Sequence, residues 1–441
     1  MSSSSIDNAN HEQPETAQRP TERRHQLAAI GIGNFLEWFD FAIYGYFAAV
    51  IGSQFFPTGN PTTEILSSFA VFAVGFLSRP FGAFILGPIG DKHGRKIVLF
   101  VTVLGMGTVT ALIGLIPSFH QIGIIAPIAV VVLRLLQGAF AGSEWTSAAT
   151  YIGEVAPSEK RAVYASVITG TAALAFLSGT ISAAFLSGLL TGDSLYSWGW
   201  RIPFVASIIM AVIAVYIRRR LEDTPVFETL EKRRANNLVK PISTKQKLKA
   251  FVMTLAFSGV FGVSLYYLIT YMNNFLSGSV GMNRFHALLI CSIATAFYVA
   301  FNPLAGFLTD KFGRRPVLYT ALIGLILWSL PAFLLMSTGN FFFALFGMTG
   351  FAFFVACSAV VNNVLLVEVF PASIRATGSA IGYNVAYAAL AGPGPFIATF
   401  LVNTTGVLVS PSFYIICVCC FALIVLFPLL EETKGVDINQ G

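Results

Sequence analysis

Charge is what this chain has least of. Only 11% of its 441 residues are Asp, Glu, Lys or Arg, against roughly 25% in a soluble domain, so water is not its main solvent. Its five cysteines, Cys291, Cys357, Cys417, Cys419 and Cys420, fall in apolar stretches without metal-ligand spacing. That excludes a disulfide framework or thiolate metal site and leaves small packing residues. The five histidines, His11, His25, His93, His120 and His286, fall in the N-terminal stretch or at loops and helix ends, so none is a mid-span proton carrier. The chain has no G-x-x-x-x-G-K-[ST] loop, no His/Cys cluster and no nucleophile elbow. An ATP-driven pump and an enzyme are disfavoured, and neither a cofactor nor a metal is expected.

Apolar residues fill the space that charge leaves. The chain is 55% hydrophobic and 14% aromatic, with mean hydropathy +0.74. Its apolar runs approach or exceed the roughly 18 to 20 residues that cross a bilayer, which predicts a polytopic all-α membrane protein. A transmembrane barrel would show shorter alternating segments. Twelve helices are expected, at about 28–51, 65–87, 97–117, 122–145, 162–189, 202–218, 250–276, 286–308, 316–337, 341–366, 377–402 and 411–430.

With the N-terminus placed in the cytoplasm, all but four of the 27 lysines and arginines fall on that side. The exceptions are Arg201 and Arg284 on the far side and Arg79 and Arg134 within helices. The positive-inside rule therefore places both termini in the cytoplasm. The same distribution, short basic loops rather than one basic soluble face, argues against nucleic acid as a partner despite the net charge of +6. Residues 1–26 are expected to be a disordered tail, 27–217 and 250–430 two helical halves, 218–249 a basic cytoplasmic linker, and 431–441 a short tail.

The halves repeat. Gly87-Pro88-Ile89-Gly90-Asp91-Lys92-His93-Gly94-Arg95-Lys96 recurs 219 residues on as Gly306-Phe307-Leu308-Thr309-Asp310-Lys311-Phe312-Gly313-Arg314-Arg315. A second pattern, E-V-x-P-x-x-x-R, joins Glu154 to Arg161 and Glu368 to Arg375, 214 residues apart. Two motifs in the same order at nearly equal offsets point to internal duplication. Gly90 and Gly94 suit a tight turn.

Two six-helix halves, each with a D-K-x-G-R-[KR] turn after its second helix, resemble the major facilitator superfamily. Finer words resemble its metabolite:proton symporters, carriers of citrate, 2-oxoglutarate, shikimate and proline or betaine. These are Gly33 to Phe41, Leu77 to Gly82, Arg134-Leu135-Leu136-Gln137-Gly138 with Glu144, Trp198 to Phe204, and Glu222 to Phe227. Gly142-Ser143-Glu144 departs from the common Gly-Gly-Glu but keeps the acid. The resemblance implies two pseudo-symmetric six-helix bundles rocking around a midplane site in a bacterial inner membrane. The expected partners are a small solute, protons and lipid, with the monomer as the working unit.

Charges inside apolar helices cost about 2.5 to 3.5 kcal/mol each by insertion scales and need a partner or a task. Glu37, Asp40 and Tyr44 share one face of the first helix, and Asp40 and Arg134 both reach mid-membrane. Proton coupling is expected at Asp40, with Glu37 as alternative and Glu144 second. A proton on the first-helix acid would free Arg134 for an anionic or zwitterionic solute; the competing reading is a permanent ion pair. Substrate contact is expected from Arg134, Tyr44, Tyr267, Tyr271, Asn302, Tyr383 and Asn384, with helix–helix hydrogen bonding as the alternative for each. Gating is expected from Gly87, Gly90, Asp91, Gly94 and Arg95, their echoes Asp310, Gly313 and Arg314, and Arg79, Glu154, Arg161, Glu368 and Arg375.

The leading expectation is uptake of a di- or tricarboxylate or related acid with protons. The first alternative is a zwitterion such as proline or betaine. An exporter is disfavoured because 162–189 lacks G-x-x-x-G-P, and a transport-dead sensor because buried charges are retained.

Overall fold

The computed structural model describes residues 20–439 apart from Thr191, Arg220 and Lys240; among these, helices follow one another and no strand occurs. Residues 1–19 of the expected tail lie outside the described residues. Eleven helices are long and apolar enough to cross a bilayer, and a bent pair makes a twelfth. In chain order they are α1 (Pro20–Tyr46, bent by 67° at Phe47 into Ala48–Phe55), α2 (Pro61–His93), α3 (Arg95–Leu115) and α4 (Ile125–Val155). Next come α5 (Arg161–Leu189), α6 (Arg201–Arg218) and α7 (Thr244–Tyr266, carried on to Ser279 through π turns). The rest are α8 (Arg284–Phe312), α9 (Arg314–Ser337), α10 (Phe341–Glu368), α11 (Arg375–Ala386, resuming as Gly394–Thr405) and α12 (Pro411–Leu429).

Several helices overrun their apolar runs. The helix expected to begin at 65 and end at 87 runs from Pro61 to His93, and the one expected to end at 145 runs to Val155. Their polar ends are paired with other side chains, so the backbone continues as helix beyond the apolar stretch. The charged segment 87–96 is accordingly two helix ends rather than a loop. Gly94 alone, at φ 94°, separates α2 from α3, and Gly313, at φ 104°, separates α8 from α9. Both lie where side chains with a Cβ are strained, which is why the two motif copies carry glycine there.

The linker contains its own helix. Thr224 Oγ1 accepts the Phe227 N–H at 3.2 Å and Pro225 takes the first position, starting Pro225–Ala235. A Ser243/Gln246 capping box starts α7. The halves meet along α2 against α11, α5 against α8 and α10, and α4 against α10 and α11.

Candidate functional site

The face that carries both motif copies is sealed by ion pairs that cross between the halves. Glu154 at the end of α4 accepts from Arg95 at 3.3 Å and from Arg375, in the opposite half, at 2.6 Å. Its counterpart Glu368 at the end of α10 accepts from Arg314 at 2.8 Å and from Arg161, again in the opposite half, at 2.6 Å. Each copy of E-V-x-P-x-x-x-R therefore gives its arginine to the other copy's glutamate. Asp91 accepts the Ala376 and Thr377 N–H groups, both at 2.9 Å, at the start of α11. Asp310 accepts those of Ala162 and Val163 at 3.0 and 2.9 Å at the start of α5. These carboxylates sit on helix N-termini, where unpaired N–H groups and the helix dipole favour negative charge. Arg95 and Arg314 also lie 3.6 and 3.5 Å from Asp91 and Asp310. Close approach needs small residues: a Cβ at Gly87 would meet Thr377 Cα at 2.8 Å, and one at Gly90 would meet Ala376 Cβ at 3.2 Å.

A third repeat, absent from the expectations above, completes the seal. Leu221-Glu222-Asp223-Thr224 after α6 is echoed by Leu430-Glu431-Glu432-Thr433 after α12. Asp223 accepts the Lys96 N–H at 3.2 Å, and Glu432 accepts those of Arg314 and Arg315 at 2.9 and 3.0 Å, so each caps the helix after a motif glycine. Thr224 donates to Glu154, and Thr433 to Glu368 at 2.5 Å. The stretch expected as a short tail continues across the same face. Arg375 donates to the Ile438 carbonyl at 2.7 Å, and Ile438 packs on Val226 and Leu230 of the linker helix.

Deeper in, the charges divide into three clusters. Glu144 pairs with Arg218 at 2.5 Å and accepts from Thr102. Arg218 was expected in the linker; it is the last residue of α6, 1% exposed, and also donates to the Ala29 carbonyl at 3.2 Å. A Cβ on Gly33 would collide with its guanidinium.

Asp40 accepts from Thr110 at 2.6 Å and Ser207 at 2.8 Å. The expected direct contact with Arg134 is not made. Arg134 instead donates to Gln137, whose amide donates to Thr110 at 2.6 Å, and its Cζ lies 3.4 Å from the centroid of the Tyr44 ring. Two hydroxyls satisfy the carboxylate and an aromatic face stabilises the cation, so the two charges are joined through a chain of neutral groups.

The third cluster lies on the seam. Arg79 donates to Glu37 at 2.9 Å within its own half and to Asn384 Oδ1, on α11, at 3.2 Å. Asn384 in turn donates to the Gly142 carbonyl at 2.5 Å. Arg79, expected with the gating residues, is 1% exposed and lies apart from the ion pairs of the basic face. Among the described residues Glu37 Oε2 and Arg79 Nη1 are buried without a hydrogen-bond partner, as is the hydroxyl of Tyr266. Tyr383 stacks on Tyr387 at 4.2 Å and on Trp145 at 6.1 Å, and Tyr266 meets Tyr387 at 5.9 Å.

The other expected contacts divide. Tyr383 and Asn384 reach this cluster. Tyr267 donates to the Pro411 carbonyl at 3.2 Å and serves helix packing, with the ring of Tyr271 tilted against it at 5.1 Å. Asn302 accepts from Thr169 of α5 and donates to the Tyr298 carbonyl at 2.7 Å, which ties the halves together. Tyr44 lies under Arg134 within the N-terminal half. Arg218, Thr110 and Ser207 are the polar partners that sequence reasoning missed.

Comparison with known proteins adds context. Residues 26–237 match the family described as Sugar (and other) transporter, and residues 261–440 match Major Facilitator Superfamily. The chain is 32% identical over 412 residues to a proline/betaine transporter of Salmonella typhimurium, covering 91% of this chain and 82% of that one. It is 31% identical, with the same coverage, to a glycine betaine/proline/ectoine/pipecolic acid transporter of Dickeya dadantii. Among solved structures it superposes, at TM-score 0.79 and 17% identity, on the proton:xylose symporter XylE bound to 6-bromo-6-deoxy-D-glucose, covering 95% of this chain and 98% of that chain.

Proposed function

Because the chain belongs to the major facilitator superfamily, we propose that it takes up a small zwitterion of the proline or betaine class together with protons, by alternating access in a bacterial inner membrane. The names of its relatives favour this zwitterionic alternative over the di- or tricarboxylate expected first. The observation that carries the reading is Arg79, a buried fork held by Glu37 from one half and Asn384 from the other.

The steps follow from electrostatics. With Glu37 ionised, Arg79 is committed to it. A proton on Glu37 removes that charge and frees the guanidinium for the solute carboxylate, which it takes bidentately. The positive end of the same solute is stabilised by aromatic faces. Loss of the proton returns Arg79 to Glu37 and expels the carboxylate, so solute and proton move together. Asp40, linked to Arg134 through Thr110 and Gln137, is the alternative proton acceptor. The crossed gate then works as a conformational lock. With the basic loops in the cytoplasm, the sealed face is the cytoplasmic one, and breaking Glu154–Arg375 and Glu368–Arg161 accompanies opening inward. The protein works as a monomer.

The test is uptake into proteoliposomes under an inward proton gradient, with and without a protonophore, using labelled proline, glycine betaine, 2-oxoglutarate and citrate. The expected result is protonophore-sensitive accumulation of proline and betaine, abolished in Glu37→Gln while solute exchange without a gradient persists. Loss of coupling in Asp40→Asn but not Glu37→Gln would move the proton to Asp40. Accumulation of citrate or 2-oxoglutarate alone would restore the acid carrier, and extrusion under a reversed gradient would make the protein an exporter.

A further inference from the structure

A small void lies on the seam between the halves, lined by Trp38, Trp145, Thr169, Phe176, Leu265 and Tyr298 among others. Its volume of about 10 Å3 has room for about one water. Its N-terminal wall comes from α1, α4 and α5 and its C-terminal wall from α7 and α8, so any parting of the halves widens it. The wall holds four aromatic side chains and no charged group. Trp38 and Trp145 meet edge to face at 5.5 Å, and Trp38 lies 5.6 Å from Phe176. Trp145 is fixed by a hydrogen bond from its indole N–H to Asn363 at 3.0 Å, and Thr169 by Asn302. The Trp38 indole N–H is buried without a partner, on the residue next to Glu37.

Aromatic faces converging on an uncharged space attract an onium group by their quadrupoles and by burying its methyl groups, whereas a carboxylate in the wall would hold any ammonium and discriminate little. We propose that this void, widened as the halves part, is the onium subsite, and that Trp38 and Trp145 make the carrier prefer methylated onium groups. The inference rests on the zwitterion reading above and names residues that reading leaves open. Among the described residues two buried donors without a partner are available to the solute's carboxylate: Trp38 Nε1, on a residue of the void wall, and Arg79 Nη1, on the guanidinium that pairs with Glu37.

The experiment is competition against labelled proline in proteoliposomes by glycine betaine and by 3,3-dimethylbutyrate, its carbon isostere, which keeps the shape and carboxylate but loses the positive charge. In the wild type betaine is expected to compete about thirtyfold better than the isostere. Trp145→Leu and Trp38→Leu should bring the two within about threefold of each other, while Trp38→Phe keeps most of the preference. Tryptophan emission of the wild type supplies a readout that needs no variant: betaine should shift it and the isostere should not. Equal competition by the isostere in the wild type, or an unchanged preference in both leucine variants that remain monodisperse, overturns the subsite. If the wild type neither binds nor carries proline or betaine, the zwitterion reading falls instead, and the two failures are told apart by that control.

Discussion

The two halves agree at the basic face and disagree in the membrane. At the face, Asp91, Arg95, Glu154, Asp223 and Thr224 have counterparts in Asp310, Arg314, Glu368, Glu432 and Thr433, with matching partners and distances within a few tenths of an ångström for most pairs. In the membrane, the N-terminal half holds Glu37, Asp40, Arg79, Arg134, Glu144 and Arg218, all buried. Away from the basic face, the C-terminal half buries neutral groups among the described residues: Tyr266, Asn302, Asn362, Asn363, Tyr383, Asn384 and Tyr387. Both halves carry the crossed ion pairs of the basic face, whereas the buried charges stand in one half alone. On the proposed mechanism a lock must close both halves equally, whereas proton binding needs one titrating site that the other half can feel. The hydrogen bond from Arg79 to Asn384 joins one of these buried charges to the neutral groups of the other half.

The sharpest way to break this comparison is at that bond. Arg79→Ala leaves Glu37 buried and uncompensated, a loss of about 3–5 kcal/mol. It is expected to reduce uptake at least a hundredfold and to lower the melting temperature; Arg79→Lys should keep most of the stability but little of the transport, because a point charge replaces the fork. Asn384→Ala, which spares the ion pair, should cost transport but little stability. Wild-type uptake by Arg79→Lys would remove the fork from the mechanism.

Next in size are the gate glutamates, where symmetry itself is the prediction. Glu154→Gln and Glu368→Gln each remove the carboxylate that two arginines share, leaving Arg375 or Arg161 without one, and each should open the basic face to a comparable degree. The measure is labelling of a single cysteine introduced on the seam side of α11 by a membrane-impermeant maleimide from the basic face. Labelling that rises in one variant and stays flat in the other would show that the two locks are not equivalent.

How much of this was legible in the sequence depends on range. Spans, repeats and the charged residues themselves follow from local composition, and the residues that pair across the basic face stood out because two copies of the same word repeat. Partner choice did not, since it is a tertiary property. Nothing local says that Arg161 serves Glu368 rather than Glu154, or that of Arg218-Arg219-Arg220 the first turns inward to Glu144. The Asp40–Arg134 contact is not made for the same reason: position along two helices does not fix rotation about their axes, which decides contact, and Thr110 and Gln137 intervene. Two signals were available and unused. One is the L-E-[DE]-T repeat after α6 and α12. The other is Gly33, a gap on α1 that only a bulky neighbour such as Arg218 requires.

A third, smaller effect concerns Glu144 and Arg218, which have no counterpart in the other half and do not cross the seam. Glu144→Gln should destabilise by leaving Arg218 buried and unpaired. Replacing both, as Glu144→Gln with Arg218→Met, should recover a large part of the lost stability, since removing a buried pair together is often near neutral. Recovery of uptake along with stability would assign the pair to helix packing. Recovery of stability with uptake still absent would instead keep Glu144 among the proton-coupling acids.

The smallest effect tests the symmetry at its finest grain. Asp223 and Glu432 each cap the helix that follows a motif glycine, one from the linker and one from the C-terminal stretch. Removing a capping side chain costs about 1 kcal/mol, and Asp223→Ala and Glu432→Ala should each lower the melting temperature by about 2 °C. Asp223 is tied to a chain segment anchored at both ends, by α6 and by α7, whereas Glu432 is anchored by α12 alone. Loss of Glu432 should therefore also release the contacts beyond it, Thr433 on Glu368 and Ile438 on the linker helix, and raise hydrogen exchange from 433 to 439. Loss of Asp223 should leave exchange in 225–235 nearly unchanged, because Thr224 and the buried Val226, Phe227 and Leu230 still hold that helix. Equal thermal effects with unequal exchange would show that the two halves share the same cap and differ only in how the segment carrying it is anchored.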